Sequence, residues 1–200
     1  DSDYRSVIIC RKSILGFYSK IAGVFFLNGI DIINSQTYPF GETHMLDIYT
    51  LKPPKDRIFE TEKWKKAEAD LIHALGDDHF LDNVLSKIPK VLNVSSGHRL
   101  EPNKVRIDNE ISNFFTIIEV LTYNFPGLLF SVTNALYRNG VKVDVAMVAT
   151  KVDQVIDVFY VRSIKSYNKI ESEQSLEQIK SAILKSLPQI QAKEIKNEKN

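Results

Sequence analysis

The stretch GFYSKIAGVFFLNGIDI, residues 16–32, decides the fold because residues 127–143, GLLFSVTNALYRNGVKV, repeat its pattern. Its two outer glycines, Gly16 and Gly29, recur at an offset of 111 residues, and the apolar positions between them recur with few identities. Self-similarity at a fixed spacing is the signature of a repeated structural unit. The sequence therefore predicts two copies of one unit.

Each copy predicts the element order β-α-β-β-α. A β-branched run precedes the first glycine, and the residues after it carry the apolar spacing of an amphipathic helix. An Asn-Gly pair then ends the helix, because glycine adopts the left-handed conformation without a steric penalty. A two-stranded hairpin and a second helix follow. The predicted strands are 7–10, 30–38, 45–51, 116–121, 141–149 and 155–161, and the predicted later helices begin at Thr61, His79 and Ser175.

The predicted hairpins also repeat, at an offset that differs by one residue. Residues 44–49 align with residues 154–159 at an offset of 110, so the second copy has one residue fewer in the preceding loop. A closing strand in each copy would give βαββαβ, the ferredoxin-like order in which an antiparallel sheet is covered by helices on one face. Candidate closing strands are 105–107 for the first copy and 190–195 for the second.

We therefore predict an α+β fold built from two ferredoxin-like units. The first unit spans residues 1–110, with an extra helical segment at about 77–88 before its last strand. The second spans residues 111–200 and ends in a frayed tail. Both are predicted to have an antiparallel sheet with helices on one face.

Composition excludes several classes of protein. The 200 residues are 44% apolar, and the most apolar run, residues 21–27, is too short to span a bilayer. The 26 basic and 25 acidic residues nearly cancel, which argues against nucleic acid or a membrane surface as a partner. Cys10 is the only cysteine, so no intramolecular disulfide can form, and the cytoplasm is the expected location. The opening residues, Asp1-Ser2-Asp3, suggest a piece of a longer protein.

The turn at residues 124–129, NFPGLL, lies between a predicted strand and a predicted helix. It resembles the signature of ACT domains, which are small modules that bind amino acids and regulate enzymes. Segments along both copies are similar, in the same order, to the tandem C-terminal ACT repeats of bifunctional PII uridylyltransferase/uridylyl-removing enzymes. The matching segments are 20–25, 28–30, 46–49, 105–112, 116–120, 148–150 and 157–161.

The resemblance implies a regulatory region that binds a small-molecule effector, glutamine, and controls uridylylation and deuridylylation of the PII protein in nitrogen metabolism. In that family, catalysis belongs to a nucleotidyltransferase domain that uses Mg²⁺ and to an HD-type hydrolase domain. Neither of their motifs occurs in these 200 residues. We therefore expect no catalytic residues and no cofactor in this chain, and we expect PII to be a partner of the parent enzyme. Pairing of ACT units would permit a homodimer.

Candidate ligand-binding residues follow from the chemistry of a free amino acid. Its carboxylate can bind the exposed N–H groups at a helix N-terminus, and its ammonium needs a nearby acceptor. By resemblance, ACT ligands lie between the first loop and the start of the second strand, often across a domain interface. The predicted ligand-binding residues are Ser13, Gly16, Asp31, Asn124 and Gly127. At the position of Asp31 the second copy has Lys142, which would repel an ammonium.

Other interpretations stay open on the sequence alone. A ligand-free platform for oligomerisation is the main alternative, because both loops depart from the ACT signature. RNA binding is disfavoured because acidic residues occupy the strand where paired aromatics would be needed. Asp47 and Asp157 occupy equivalent positions in different copies, and we interpret both as structural. The four histidines have no zinc-type spacing, so no metal is expected.

Overall fold

A computed structural model describes residues 4–53, 58–77, 79–94, 101–151 and 154–192. Its secondary structure follows the predicted order in both halves, contains strands at both candidate closing segments and adds one short strand at residues 91–94. The elements are β1 (Arg5–Lys12), α1 (Phe17–Leu27), β2 (Asp31–Phe40), β3 (His44–Lys52), α2 (Glu60–Gly76), α3 (Phe80–Leu85), β4 (Val91–Val94), β5 (Lys104–Asp108), β6 (Thr116–Tyr123), α4 (Leu128–Arg138), β7 (Val141–Lys151), β8 (Gln154–Ser163), α5 (Glu173–Ser186) and β9 (Gln189–Ala192).

The predicted α+β class with antiparallel pairing is confirmed, but the two sheets are joined. Seven strands form one antiparallel sheet in the order β1-β3-β2-β7-β8-β6-β5. The junction between the halves is the pair β2 and β7. Ser35 pairs there with Ala146, its own equivalent at the 111-residue offset. A residue that pairs with its own equivalent lies on a pseudo-two-fold axis, so the halves are arranged like the subunits of an isologous dimer.

Local features of the two hairpins confirm that the halves are copies. The register of β2 shifts between Ile32 and Asn34, and the register of β7 shifts between Val143 and Val145. These bulges lie at the same offset of 111 residues, and bulges bend and twist a strand. Three residues connect β2 to β3 and two connect β7 to β8, so the predicted one-residue deletion lies in that loop.

The closing strands differ from the prediction. Residues 105–107 do form a strand, but β5 pairs with β6 at the outer edge of the second half. Residues 190–192 lie in β9, which pairs in parallel with β4 in a separate two-stranded sheet. Because β5 already occupies the place beside β6, β9 cannot close that sheet. The division of the chain at residue 110 stays a prediction.

The helices form one connected layer. The first helices of the halves, α1 and α4, pack against each other, α2 and α3 pack on α1, and α5 packs on α4. Trp64, Ala67 and Leu71 of α2 contact the core and Ala74 is buried, whereas Leu75 is 37% exposed. Within the described ranges, every helix is too short or too polar to cross a lipid bilayer.

Candidate functional site

The turns before α1 and α4 are the sites predicted to bind a ligand carboxylate. Gly16 has φ of 72° and Gly127 has φ of 86°, a left-handed conformation that glycine adopts readily. No side chain caps the N-terminus of either helix. The first N–H groups of a helix have no partner within it, so both turns are suited to an anion.

Each glycine turn contacts the first helix of the other half. A Cβ atom on Gly16 would lie 2.9 Å from the ring of Tyr137 in α4, and one on Gly127 would lie 3.3 Å from the ring of Phe26 in α1. Tyr137 and Phe26 are equivalent at the 111-residue offset. The pseudo-two-fold axis therefore produces two equivalent candidate sites, each built from both halves.

The site beside α4, which we call the second cavity, is open. Its volume is about 430 Å³, within the usual range for small-molecule sites. It contains three of the predicted residues, Asp31 at the start of β2 and Asn124 and Gly127 before α4. Polar and apolar atoms contribute similar shares of its surface. Its lining residues are Tyr4, Ala22, Phe26, Ile30, Asp31, Ile32, Ile33, Lys52, Asn124, Phe125, Gly127, Leu128, Leu129, Phe130, Val155 and Asp157.

The site beside α1, which we call the first cavity, is closed. Its volume is about 20 Å³, enough for roughly one water molecule. Gly16 lines it, together with Arg11, Phe17, Tyr18 and Tyr137. Ser13, the remaining predicted residue, lines neither cavity. Ser13 is exposed, and its backbone N–H donates to the carbonyl of Thr43 at 3.2 Å.

Three of the residues that line the first cavity, Arg11, Tyr18 and Thr37, belong to a polar network. Its centre is Asp47, which is fully buried behind them. Arg11 donates to this carboxylate from Nε at 2.5 Å and from Nη2 at 3.2 Å, and its guanidinium lies 3.9 Å from the ring centroid of Phe17. The hydroxyl of Thr37 donates to Asp47 at 2.5 Å and is 2.6 Å from the hydroxyl of Tyr18. Burial and the bond to Thr37 act in opposite directions on Tyr18, whose pKa is raised to about 12.

Asp157, the equivalent residue in the second half, has no such network. It is 1% exposed, and among the described residues neither carboxylate oxygen has a hydrogen-bond partner. Burial raises the pKa of this carboxyl from the ordinary 3.8 to about 7. An unpartnered buried carboxylate is costly, and such groups concentrate at functional sites. Asp157 forms part of the wall of the second cavity.

The sequence interpretation of Asp157 as structural missed this difference, although the 111-residue offset contains the signal. Strand register places Arg11 opposite Met45 and Thr37 opposite Asp47 in the first half. The equivalent residues in the second half are Thr122 and Val148. The acid is kept while its cationic and hydroxyl partners are replaced. Thr122 instead donates its hydroxyl to Asn103 at 2.7 Å.

Lys142, expected to repel an ammonium, lines the first cavity and is paired within its own half. Its Nζ lies 2.9 Å from Asp144, and Arg162 donates to the same carboxylate at 2.9 and 2.7 Å. Burial alone would raise the pKa of Asp144, but these bonds hold it below its ordinary value. The ammonium of Lys142 therefore has a counter-charge within its own half.

Within the described ranges, no group of three or more His, Cys, Asp or Glu side chains is arranged to hold a metal ion. The second cavity combines an uncapped helix N-terminus, an amide side chain and two carboxylates with apolar side chains. This combination suits binding of a small molecule that has both an anionic and a cationic group.

The sequence is similar to segments of known enzymes. Over 91% of its length, the chain is 29% identical to a bifunctional uridylyltransferase/uridylyl-removing enzyme from Rhodospirillum rubrum. Enzymes of the same name from Azospirillum brasilense and Cereibacter sphaeroides are 29% and 26% identical over 86% and 84% of the chain. The chain is homologous to a segment of these enzymes. It spans about a fifth of their length, 20% for the first and 18% for the others.

Other comparisons add little. No family model matches the chain. The ligand-free regulatory subunit of aspartate kinase from Thermus thermophilus is 12% identical and aligns over 91% of this chain and 93% of its own, with a TM-score of 0.28. That score is too low to support a conclusion. The homology of the chain is therefore supported by the uridylyltransferase sequences, and the α+β fold by the arrangement of its strands and helices.

Proposed function

We propose that this chain is an amino-acid-sensing regulatory region and that glutamine is its effector. The observation that carries the proposal is the second cavity, a 430 Å³ site between the two halves that contains Asp31, Asn124 and Gly127. Homology to uridylyltransferase/uridylyl-removing enzymes supports a regulatory role toward uridylylation and deuridylylation of PII. This proposed role places the protein in the cytoplasm.

The site offers a complementary group for each end of the ligand. The uncapped N-terminus of α4 would hold the carboxylate, with Gly127 allowing close backbone approach. Asn124 and Asp31 would accept hydrogen bonds from the ammonium or the side-chain amide. A sensor of a metabolite at millimolar concentration needs only about −4 kcal/mol of binding free energy. A few charge-assisted hydrogen bonds are sufficient for this.

Regulation would follow from the position of the cavity across the pseudo-two-fold junction. Asp31 belongs to the first half, whereas Asn124 and Gly127 belong to the second. A ligand that contacts all three would favour one packing of α1 on α4 and of β2 on β7. A coupling of about 1–3 kcal/mol would shift the balance between two activities by several-fold or more.

Calorimetric titration of the chain with glutamine tests the proposal, with serine and glutamate as comparison ligands. We expect heat of binding at millimolar glutamine, at least tenfold weaker binding in Asn124→Ala, and unchanged binding in Ser13→Ala because Ser13 lies outside both cavities. No heat with any of the three amino acids would contradict it.

The alternative of an oligomerisation platform is favoured by one observation. In the described part of the chain, β1 pairs with β3 alone, whereas its counterpart β6 is flanked by β8 and β5. An edge strand with one neighbour can add a strand from another chain. Sedimentation velocity separates the two functions. A concentration-dependent dimer that is unaffected by glutamine would favour the platform.

A further inference from the structure

The second cavity contains a buried carboxyl group for which the described residues offer no hydrogen-bond partner. The two carboxylate oxygens of Asp157 are buried and make no hydrogen bond to any described residue. The other titratable groups in the described lining, Asp31, Lys52 and Tyr4, are exposed, and burial is the whole cause of the raised pKa of Asp157. A buried carboxylate is stable when it is paired with a cation.

The first half shows which partner fits an acid at this position. Asp47 occupies the equivalent place and is paired with the guanidinium of Arg11, which reaches it from the neighbouring strand and lies over Phe17. Arg11 is thus a cation supplied by the chain, and the cavity around it is reduced to about 20 Å³. In the second half Arg11 is replaced by Thr122, Phe17 by Leu128, and the cavity is open.

We propose that Asp157 binds the cationic group of the effector, an ammonium or guanidinium, in the place that Arg11 takes against Asp47. This inference rests on the proposed function, because it requires a small molecule in the second cavity, and it assigns that molecule a positively charged group. The two halves then use one interaction in two ways. In the first half the cation is part of the chain, and in the second it arrives with the ligand.

Proton exchange should accompany binding. The empty site holds a proton on Asp157 below about pH 7, and a cation pairs with the ionised carboxylate. Binding below that pH therefore releases the proton from the carboxyl oxygen to the buffer. By linkage, affinity for the cation should rise roughly tenfold between pH 6 and pH 8. A ligand held by the helix N-terminus and by Asn124 alone would show no such dependence.

Calorimetry with two probes, at pH 6 and pH 8, tests the assignment. The probes are glutamine and propylguanidinium, which is an arginine-like cation without a carboxylate. The proteins are the wild type, Asp157→Asn, and Glu177→Gln as a matched carboxylate-to-amide control on the exposed face of α5. We expect Asp157→Asn to weaken both probes at least tenfold at pH 8 and to abolish the pH dependence, while Glu177→Gln behaves as the wild type.

The outcomes separate this inference from the proposed function. Equal binding of glutamine by the wild type and Asp157→Asn would overturn the inference and leave glutamine sensing standing. Binding of propylguanidinium that depends on Asp157, without any glutamine binding, would support the inference and contradict glutamine as the effector. Failure of both probes to bind the wild type would overturn both.

A measurement on the wild type keeps the test valid if the variant does not fold. The Asp157 carboxyl can be followed by ¹³C NMR in aspartate-labelled protein during a pH titration. We expect a midpoint near pH 7 in the free chain, which falls when either probe is bound. A midpoint that does not move at saturating probe would overturn the assignment of Asp157.

Discussion

The two halves of this molecule hold equivalent acids in different surroundings. Asp47 is paired with Arg11 and Thr37, which line a cavity of about 20 Å³. Asp157 has no hydrogen-bond partner among the described residues and lines a cavity of about 430 Å³. The strand order and the position of the bulge in β2 and β7 are the same in both halves. The scaffold is therefore preserved, while four positions around the two acids differ between the filled site and the open one: those of Arg11, Phe17, Tyr18 and Thr37.

The largest expected effect comes from breaking the pair in the first half. Asp47→Asn leaves Arg11 nearly buried beside Phe17 without its counter-charge, since the arginine side chain is only 10% exposed. Removing one partner of a buried ion pair costs about 3–5 kcal/mol. We expect urea unfolding at pH 7 to show a loss of that size. A loss under 1 kcal/mol would mean that the Arg11–Asp47 pair does not hold the first cavity closed.

The equivalent change in the second half should have the opposite sign. The unfolded chain loses the Asp157 proton near pH 4 and the folded chain keeps it to about pH 7, so this group removes stability as pH rises between those values. Asp157→Asn avoids that loss, and we expect a gain of up to about 4 kcal/mol at pH 8 and roughly 2 kcal/mol at pH 5.

Chemical unfolding of Asp157→Asn at the two pH values measures this gain. A loss of stability at pH 8 would show that Asp157 has a partner in solution, and the contrast with Asp47 would fail.

A smaller loss of stability is expected from a substitution at Gly127, where the turn before α4 contacts the first half. Gly127→Ala places a Cβ atom 2.3 Å from the side chain of Ile88 and 3.3 Å from Phe26, at a φ of 86°. A left-handed backbone conformation at a residue with a side chain costs about 1–3 kcal/mol. The close contacts with Ile88 and Phe26 add to this loss of stability. Gly140→Ala is the control, because it has a similar φ and no atom within 4 Å. Thermal melting should rank Gly127→Ala as the more destabilising change, and equal losses would mean that this turn does not pack tightly.

The smallest expected effect tests the outer part of the Asp47 network. Tyr18→Phe removes a hydroxyl that is 2.6 Å from Thr37, and one neutral hydrogen bond contributes about 0.5–1.5 kcal/mol. Its equivalent, Leu129, has no hydroxyl to lose. We expect a loss in that range by urea unfolding, with Thr37 still bonded to Asp47. An unchanged free energy of unfolding would mean that the Arg11–Asp47 pair alone, without the hydroxyl of Tyr18, stabilises the first cavity.

The sequence was sufficient for elements whose signal is local. The repeat, the glycine turns and the amphipathic stripes follow from residues that are close along the chain, and the corresponding strands and helices formed. The pairing of β5 with β6 could not be predicted in this way, because strand preference at 105–107 does not specify a neighbour. The union of two sheets through Ser35 and Ala146 depends equally on contacts between distant segments.

The same distinction between local signals and distant contacts explains why only part of the candidate site was predicted. Asp31, Asn124 and Gly127 are local to the loops that the repeat identifies, and the structure brings them to one cavity. The difference between Asp47 and Asp157 depends on residues of the adjacent strands. Arg11 and Thr37 bind Asp47, whereas Thr122 occupies the position of Arg11 in the other half and bonds to Asn103 instead. Only the register of the sheet shows which residues of neighbouring strands lie near each acid.

The stoichiometry of glutamine binding tests the central contrast between the cavities most directly. Isothermal titration of the chain at pH 8 should give one molecule of glutamine per chain, because the second cavity is open and the first is filled by Arg11. Two equivalent molecules per chain, or one molecule whose binding survives Asp157→Asn and is lost on substitution of Arg11, would contradict the account.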